Sequence, residues 1–483
     1  MRPAVNAGLL VAMMLALPGL VRPCDAGQQS QSPAAAQQQP PQPERPLNPT
    51  QEIAGAEAEG NALAVGPAQL RIGGCLGLTG LYRSTNSGGG PGTAFATIPY
   101  SDSVKGNVSE TRLTAETSKL SIRVDASFPE PGERFRKLAG YFETDFSGNA
   151  PGNVAVTSSS YALRLRHAFA EVQYGDSIFL SIGQAFTLMT PVKDQLSTWP
   201  SDVELTQAVD TNYVAGMVWA RLPQVRVTWR PSTRFNWAGS VENPEQQIGN
   251  GLIGLPACCA EDISSQYNTG SNQLSVPNLM PDLTTRVGLR PLRALHVDAG
   301  GVLRVFRTTI APYDHSFKQA GGGANVNARL ALPASTALIA QGAFGSGLGR
   351  YIGGLLPDVA FERDGSISTI PARSWVTGLE HRLSAQSAFG AYYSGVSSGS
   401  QYSLDDDGRY IGFGFPGAPP SNNHWIREFT GTFSRVVTKT ASRGSVQLGL
   451  QTSWLQREAY SQVEGSSSTD SIIFFAQLRY NLP

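Results

Sequence analysis

The chain has little charge, few cysteines and few histidines. Only 15% of its 483 residues are charged, lysine plus arginine and aspartate plus glutamate balance at 37 each, and there are four cysteines and five histidines. Balanced charge excludes a general attraction to nucleic acid, so any electrostatic function depends on where the charges lie. No cysteine spacing matches a metal motif, and the sequence implies no metal and no cofactor. The adjacent Cys258 and Cys259 are expected in a loop, with a local disulfide left open.

The chain also lacks a long apolar run after its N-terminus. Its first 26 residues have a basic start at Arg2, an apolar run over Gly8–Leu20 and then small residues, a pattern typical of a cleaved signal peptide. Cys24 suggests a lipoprotein instead, but Val21–Pro23 before it match a lipidation site poorly. A membrane-spanning helix needs roughly 20 apolar residues, so the mature protein either leaves the membrane or crosses it as strands.

Residues 27–69 form a segment that cannot build a core. The segment is rich in Gln, Pro and Ala and has almost no aromatic or β-branched residues. Such a composition predicts a disordered tail, which would hang in the periplasm if the rest is an outer-membrane barrel.

What the sequence has in abundance is alternation with a period of two. In the C-terminal "SIIFFAQLRYNLP", Phe474, Leu478 and Tyr480 share one face, while Gln477 and Arg479 lie on the other. A soluble sandwich turns such an apolar face to its core, whereas a transmembrane barrel turns it to lipid and the polar face to a wet lumen. Periodicity alone does not separate the two.

The lengths of the connections favour the membrane barrel. About sixteen strands fit residues 70–483, most of them near the ~9–11 residues that a tilted strand needs to cross a bilayer. Short turns follow even-numbered strands and long loops follow odd-numbered ones, which is typical of an antiparallel up-and-down outer-membrane β-barrel. The fold class is therefore all-β. The predicted strands are 70–83, 117–127, 136–147, 161–174, 177–187, 217–230, 233–243, 283–292, 294–307, 322–332, 335–347, 370–384, 386–398, 424–438, 442–457 and 470–481.

Five short blocks carry a family resemblance. "YFETDFSG", "YALRLRHAFAEV", "SIGQAF", "RLPQVRVTWRP" and "AGSVENP", in this order between about 136 and 244, resemble blocks of the DcaP-like outer-membrane porins. The resemblance implies a trimeric, sixteen-stranded porin that passes small, often anionic solutes such as dicarboxylates. Some members of that family carry a coiled-coil extension, whereas the tail of this chain has no heptads. The trimer is therefore expected to rest on the barrel wall.

The predicted inward faces carry more basic than acidic side chains, which implies a lumen more positive than the protein as a whole. Guanidinium groups bind carboxylates in a bidentate manner, so such a lumen would favour small organic anions. The alternative for each arginine is a structural ion pair with a carboxylate on the barrel wall. The predicted pore-lining residues are Lys119, Arg123, Arg164, Arg166, Arg226, Arg230, Arg286, Arg304, Arg329 and Arg479.

The loop Met189–Tyr213, after the fifth predicted strand, is at the position where porins fold a loop into the lumen. Its charged residues are expected to form one side of a constriction opposite the arginines, although they could equally lie on an exposed loop surface. The constriction candidates are Lys193, Asp194, Asp202, Glu204 and Asp210.

An enzyme is not expected. "GDSI" at Gly175–Ile178 copies the start of a lipase motif, but Gly-Asp-Ser is also what a tight turn between two strands requires. A nucleophilic serine needs a positioned base, and no histidine is placed beside Ser177 by the sequence.

These observations predict a passive diffusion channel for small hydrophilic solutes in the bacterial outer membrane. Its expected partners are membrane lipid, small anionic solutes and two further copies of the chain, with no nucleic acid. The alternative is a non-conducting adhesin or structural barrel that its long loops plug. An open lumen with inward arginines would favour the channel, and a lumen filled by interlocked side chains would favour the plug.

Overall fold

A computed structural model describes the chain from residue 62 to its C-terminus, except for residues 129–133, 250, 269–275 and 464. The predicted signal peptide and residues 27–61 of the predicted tail lie outside the described residues. Within the described part, no helix is long and apolar enough to cross a membrane. The α-helix found there, α1, is the short segment Ala260–Gln266.

Antiparallel strands make up most of the described chain. They are β1 (Leu63–Val65), β2 (Ala68–Arg83), β3 (Glu110–Thr114), β4 (Lys119–Ser127), β5 (Phe135–Asp145), β6 (Arg164–Tyr174), β7 (Ile178–Phe186), β8 (Arg221–Trp229), β9 (Phe235–Glu242), β10 (Asp282–Leu292), β11 (Leu295–Ile310), β12 (His315–Leu332), β13 (Thr336–Ser346), β14 (Val359–Phe361), β15 (Ile367–Thr369), β16 (Pro371–Arg382), β17 (Ser387–Ser398), β18 (Gln401–Leu404), β19 (Tyr410–Phe413), β20 (Asn423–Thr440), β21 (Gly444–Val463) and β22 (Ser466–Asn481).

The main sheet closes into a barrel. Strand β2 pairs with β4 on one side and with the C-terminal β22 on the other, so the first and last strands of the barrel are hydrogen-bonded to each other. Strands β3 and β4 pair with successive parts of β2 and together occupy one strand position of the barrel. Strand β1 folds back on the start of β2 and is not a position of its own. The two short hairpins β14–β15 and β18–β19 form separate two-stranded sheets and are not part of the barrel wall. The wall has sixteen strand positions, which confirms the predicted sixteen-stranded barrel.

The two faces of the wall differ as the alternation predicts. On β22, Ile472 and Leu478 are about half exposed on the outside, whereas Ser471 and Gln477 are buried inside. An apolar outer band suits lipid, and inward polar groups can hydrogen-bond to one another or to water. The same division runs around the barrel through exposed Leu120, Phe142 and Val225.

Several strand extents differ from the prediction; β8, for example, begins at Arg221 rather than at 217. Strand β2 begins at Ala68 and carries β1 beside it, so residues 63–65 and 68–69 belong to the sheet rather than to a tail. Strand β12 begins at His315 rather than 322, because the run "AGGGAN" hides the alternation. Strands β21 and β22 reach Val463 and Ser466, well beyond the predicted ends, where both faces are polar.

Candidate functional site

The loop between β7 and β8, residues 187–220 and here called L3, runs through the interior of the barrel. The amide N–H of Val209 and that of Asp210 donate to the Gln451 side chain on β21, at 2.6 and 2.9 Å. The amide of Ala215 donates to Glu428 on β20 at 2.7 Å. L3 therefore reaches strands on the far side of the barrel and narrows the lumen from within.

One side of the lumen is built from closed ion pairs. Arg286 pairs with Asp298, and both side chains are fully buried. Arg304 lies 3.0 Å from Asp282 and 2.7 Å from Asp358. Since these two guanidinium groups are neutralised and packed, neither offers a free charge to the lumen. We call β10–β13 and β16 the locked wall.

Arg329 ties the locked wall to L3. Its guanidinium lies 2.9 Å from Glu204 of L3 and 3.3 Å from Glu380 of β16. Glu204, predicted as part of a constriction, thus serves as an anchor that pins the loop to β12. The sequence could not show this pair, because the partners are 125 residues apart.

The other four constriction candidates have separate environments. Lys193 donates to the Ser201 carbonyl within L3 at 2.8 Å, and Asp194 pairs with Arg290. Asp202 is partly exposed and contacts Ser201. Asp210 is buried and accepts the amide N–H of Thr93 and of Asn212 at 3.1 and 2.8 Å. The five side chains therefore do not form a single acidic surface.

Burial sets the protonation of Asp210. It raises the pKa of this L3 carboxyl to about 6, although the donated amide hydrogen bonds favour the ionised form. The loop therefore contains a group that titrates just below neutral pH.

The opposite side of the lumen holds a cavity. The cavity has a volume of about 140 Å³ and lies between L3 and the inward faces of β4–β7 and β20–β22. Its charged and polar lining includes Lys119, Arg166, Tyr213, Asp210 and Gln477. We call this region the cavity side.

Two cations on the cavity side have no carboxylate partner among the described residues, because no salt bridge involves Lys119 or Arg221. Lys119 lines the cavity from β4. Arg221, at the start of β8, places its guanidinium 5.0 Å from the Phe186 ring and 5.2 Å from the Trp219 ring. Its Nε and Nη2 are buried and have no hydrogen-bond partner there. The ammonium of Lys119 is therefore available to a solute in the cavity, with the Arg221 guanidinium against Phe186 of the same lining.

A β-bulge adds His167 to the same lining. Arg166 is the extra residue where β6 pairs with β5, so Arg166 and His167 both turn inward. His167 is fully buried, and neither ring nitrogen has a hydrogen-bond partner within the described structure. Strict alternation would place one of the two outside, so alternation alone does not predict an inward His167. Arg221 was missed for a related reason, since its parity is that of the outward Val225.

Of the ten predicted pore-lining residues, six lie in ion pairs. Besides the three arginines of the locked wall, Arg123 pairs with Asp125 at 2.6 Å, Arg164 with Asp145 at 2.7 Å, and Arg166 with both Glu143 and Asp145. Most of the arginines that were expected to be free are therefore held in structural ion pairs, which is the alternative that the sequence left open.

The remaining three arginines bind neutral groups. Arg226 donates to the carbonyl oxygens of Phe186 and Ser197 at 2.6 and 3.1 Å. Arg230 lies over the Phe179 ring at 4.0 Å, and Arg479 donates to Gln447 at 2.7 Å. Arg226 and Arg230 carry their charge without a carboxylate in these contacts.

A second cavity, of about 240 Å³, lies at the short-turn end of the barrel. It is lined by Arg71, Asp125, Lys137 and neighbouring polar groups. Strand β4 connects the two cavities, because Lys119 lines the cavity beside L3 and Asp125 lines the cavity at the short-turn end. The two residues are six positions apart on the strand, or about 20 Å along the wall.

An apolar core joins the long loops on their side of the barrel. Each of five long loops contributes buried side chains to it, among them Phe95, Met189, Ile263, Ile352 and Phe413. This core packs against inward wall residues such as Phe306 and Phe475. The long loops are therefore folded together over the barrel. Two loop residues, Cys258 and Cys259, are joined in a disulfide.

No family model matches the sequence, and no curated protein matches it either. Among solved structures, the outer-membrane channel DcaP of Acinetobacter baumannii superposes with a TM-score of 0.61 over 86% of this chain and 97% of that chain, at 16% identity. The barrel has the fold of the DcaP channel. The likeness to DcaP that the five sequence blocks suggested is thus confirmed at the level of the fold.

Two further solved barrels are more distant than DcaP. OmpT of Vibrio cholerae and OmpF of Salmonella typhi each match 87% of this chain and all of their own chain, with 9% identity and a TM-score of 0.45.

Proposed function

We propose that the chain is a porin of the bacterial outer membrane, a passive channel for small hydrophilic solutes that favours small organic anions. The observation that carries the proposal is the cavity between L3 and the wall, which Lys119 lines without a carboxylate partner among the described residues, while the guanidinium of Arg221 lies against Phe186 of the same lining. A carboxylate entering there would meet the uncompensated ammonium of Lys119 close to a second uncompensated cation. The DcaP-like fold supports a channel as the class of function.

The proposed path follows the inward face of β4. A solute would pass Lys119 in the cavity beside L3, then the Arg123–Asp125 pair, and then enter the cavity at the short-turn end. Mixed charge along this route orients a dicarboxylate while leaving each site weak enough for release.

The remaining parts of the proposal concern the assembly. The tail would lie in the periplasm. A barrel with an even number of strands has both chain ends on the same side, and in outer-membrane barrels the side with the short turns faces the periplasm. Three copies would pack through their barrel walls. The outer band of apolar side chains can serve either lipid or a second copy.

A second candidate function is a closed, structural barrel. The apolar core of the five long loops favours it, because loops packed together in this way could serve as a plug. The two functions differ in one property, which is ion conduction.

Planar-bilayer recording tests the proposal. Purified protein should give stepwise openings, and a salt gradient should give a reversal potential of the sign for anion preference. The variant Lys119→Gln with Arg221→Gln should lose most of that preference, since two uncompensated charges are removed. Lys439→Gln with Arg443→Gln, which also removes two positive charges but at an exposed strand end and turn, is the matched control. Absence of openings from a folded barrel would favour the closed function.

A further inference from the structure

The outer wall carries two exposed arginines near the long-loop rim. Arg373 of β16 and Arg427 of β20 both lie on the outward face and are exposed. No salt bridge or side-chain hydrogen bond joins either guanidinium to a described residue. An exposed arginine is ordinary at a water-facing surface, but these two lie on the face that the barrel turns to lipid.

An aromatic girdle fixes their level in the membrane. Trp375, Tyr393, Phe429 and Trp454 lie side by side on four neighbouring strands, with ring centroids 6.1, 4.6 and 5.8 Å apart in that order. Aromatic girdles mark the boundary between the hydrocarbon and the headgroups.

Both arginines lie one outward position beyond this girdle. Arg373 is two residues beyond Trp375 on β16, and Arg427 is two residues beyond Phe429 on β20, which is about 7 Å along each strand. At the other end of β20, the outward Arg435 is eight residues away, or about 27 Å along a tilted strand. The two ends of β20 thus bracket the apolar band, and Arg427 lies at the headgroup level.

The two arginines are neighbours across one strand. The register pairs Arg373 with Ser397 and Ser397 with Trp425, while Arg427 lies opposite Gly395. The backbones of β16 and β20 are therefore about 10 Å apart. A Cβ on Gly395 would come within 2.5 Å of the Trp375 ring, so the indole lies across the intervening strand.

The local charges leave this pair uncompensated. Arg427 lies 3.8 Å over the Trp425 ring, which holds its guanidinium in place without neutralising it. The carboxylate of Glu458 on the next strand contacts His424 at 3.4 Å. Glu428 faces the interior, where it accepts the Ala215 amide.

We propose that Arg373 and Arg427 form a binding site for the phosphate-bearing headgroup of a membrane lipid, in the leaflet on the long-loop side. Guanidinium groups bind phosphate in a bidentate manner, and the girdle beneath them would take the acyl chains. The site rests on the barrel crossing a membrane and does not depend on ion conduction.

Native mass spectrometry of the detergent-purified protein tests the site with diphosphoryl lipid A as the probe and phosphatidylcholine as the neutral comparison. The wild type should bind the phosphorylated probe in preference. The double variant Arg373→Gln with Arg427→Gln should bind it about thirtyfold more weakly, from two lost contacts at the membrane surface. Arg373→Lys with Arg427→Lys should be intermediate, because the charge remains and the bidentate geometry is lost.

Arg435→Gln is the matched control, since it removes an exposed outward charge from the other end of β20 and should leave binding unchanged. Equal binding by the wild type and the folded glutamine double variant would overturn the site. Displacement of the lipid by equimolar inorganic phosphate would also overturn it, since it would indicate a free-phosphate site. A change of oligomer mass with unchanged lipid binding would assign the arginines to a contact between copies instead.

Discussion

The locked wall and the cavity side are built from the same kinds of residue, yet they differ in how their charges are matched. On the locked wall Arg286 and Arg304 are buried against carboxylates. On the cavity side Lys119 and Arg221 have no such partner in the described part of the chain. A buried charge costs several kcal/mol unless it is paired, so matched charges build a rigid wall. Unmatched charges persist where a cavity gives them access to water or solute.

The largest expected effect comes from breaking the locked wall. Arg304→Met should lower the free energy of unfolding by about 3–5 kcal/mol, because it leaves Asp282 and Asp358 buried without their cation. Urea unfolding in lipid vesicles measures the change. Arg112→Met is the matched control, since its pair with Glu110 is partly exposed and should contribute at most about 1 kcal/mol. A loss as small as that of the control would mean that the wall is not held by its ion pairs.

The next effect concerns pH and the anchoring of L3. The pKa of Asp210 is raised to about 6 by burial, above the ordinary value near 4, so the folded loop binds this proton more tightly than the unfolded chain. The stabilisation is present below about pH 4 and is lost as the pH rises through about 6, by up to about 3 kcal/mol.

Urea unfolding at a series of pH values checks this sign. Asp210→Asn should flatten the profile between about pH 4 and 6. A free energy of unfolding that rises between about pH 4 and 6 in the wild type, with no such rise in Asp210→Asn, would contradict the account of Asp210.

A somewhat smaller effect is expected from the contact of L3 with β21. Gln451→Leu removes the acceptor of two L3 amide groups, and each unsatisfied buried donor costs about 1–3 kcal/mol unless the loop moves to reach water. We expect the loop to move, with larger and noisier single-channel openings than the wild type. Thr452→Leu, on the outward face of β21, is the comparison. Unchanged openings would show that the Gln451 contact does not position L3.

The barrel was predictable from the sequence because its signals are local. Alternation in segments such as "QVRVTWRP" gives the faces of a strand, and turn residues such as Gly175 and Asp176 give its end. The structure places residues 175–177 in the tight turn between β6 and β7, as the turn interpretation of "GDSI" predicts. The glycine run before Val326 concealed the start of β12, since glycine has no side chain to alternate.

The site was less predictable because it depends on pairing. Which arginines are neutralised is decided by partners far apart in sequence, as in Arg329 with Glu204. The bulge that turns Arg166 and His167 inward together breaks the rule on which the face assignment rests. Alternation therefore identified inward positions on β4 and β12 but could not identify which charges remain free.

Cysteine accessibility in an open channel tests most directly whether solutes pass along the cavity side. Cys75 lies opposite Lys119 in the register, so Cys75→Ser provides the background. In that background we expect Lys119→Cys to react with a small, negatively charged thiol reagent and its current to fall. Thr284→Cys, buried on the locked wall, should keep its current under the same reagent. Loss of current from the Thr284 variant together with an unaffected Lys119 variant would contradict the proposed path.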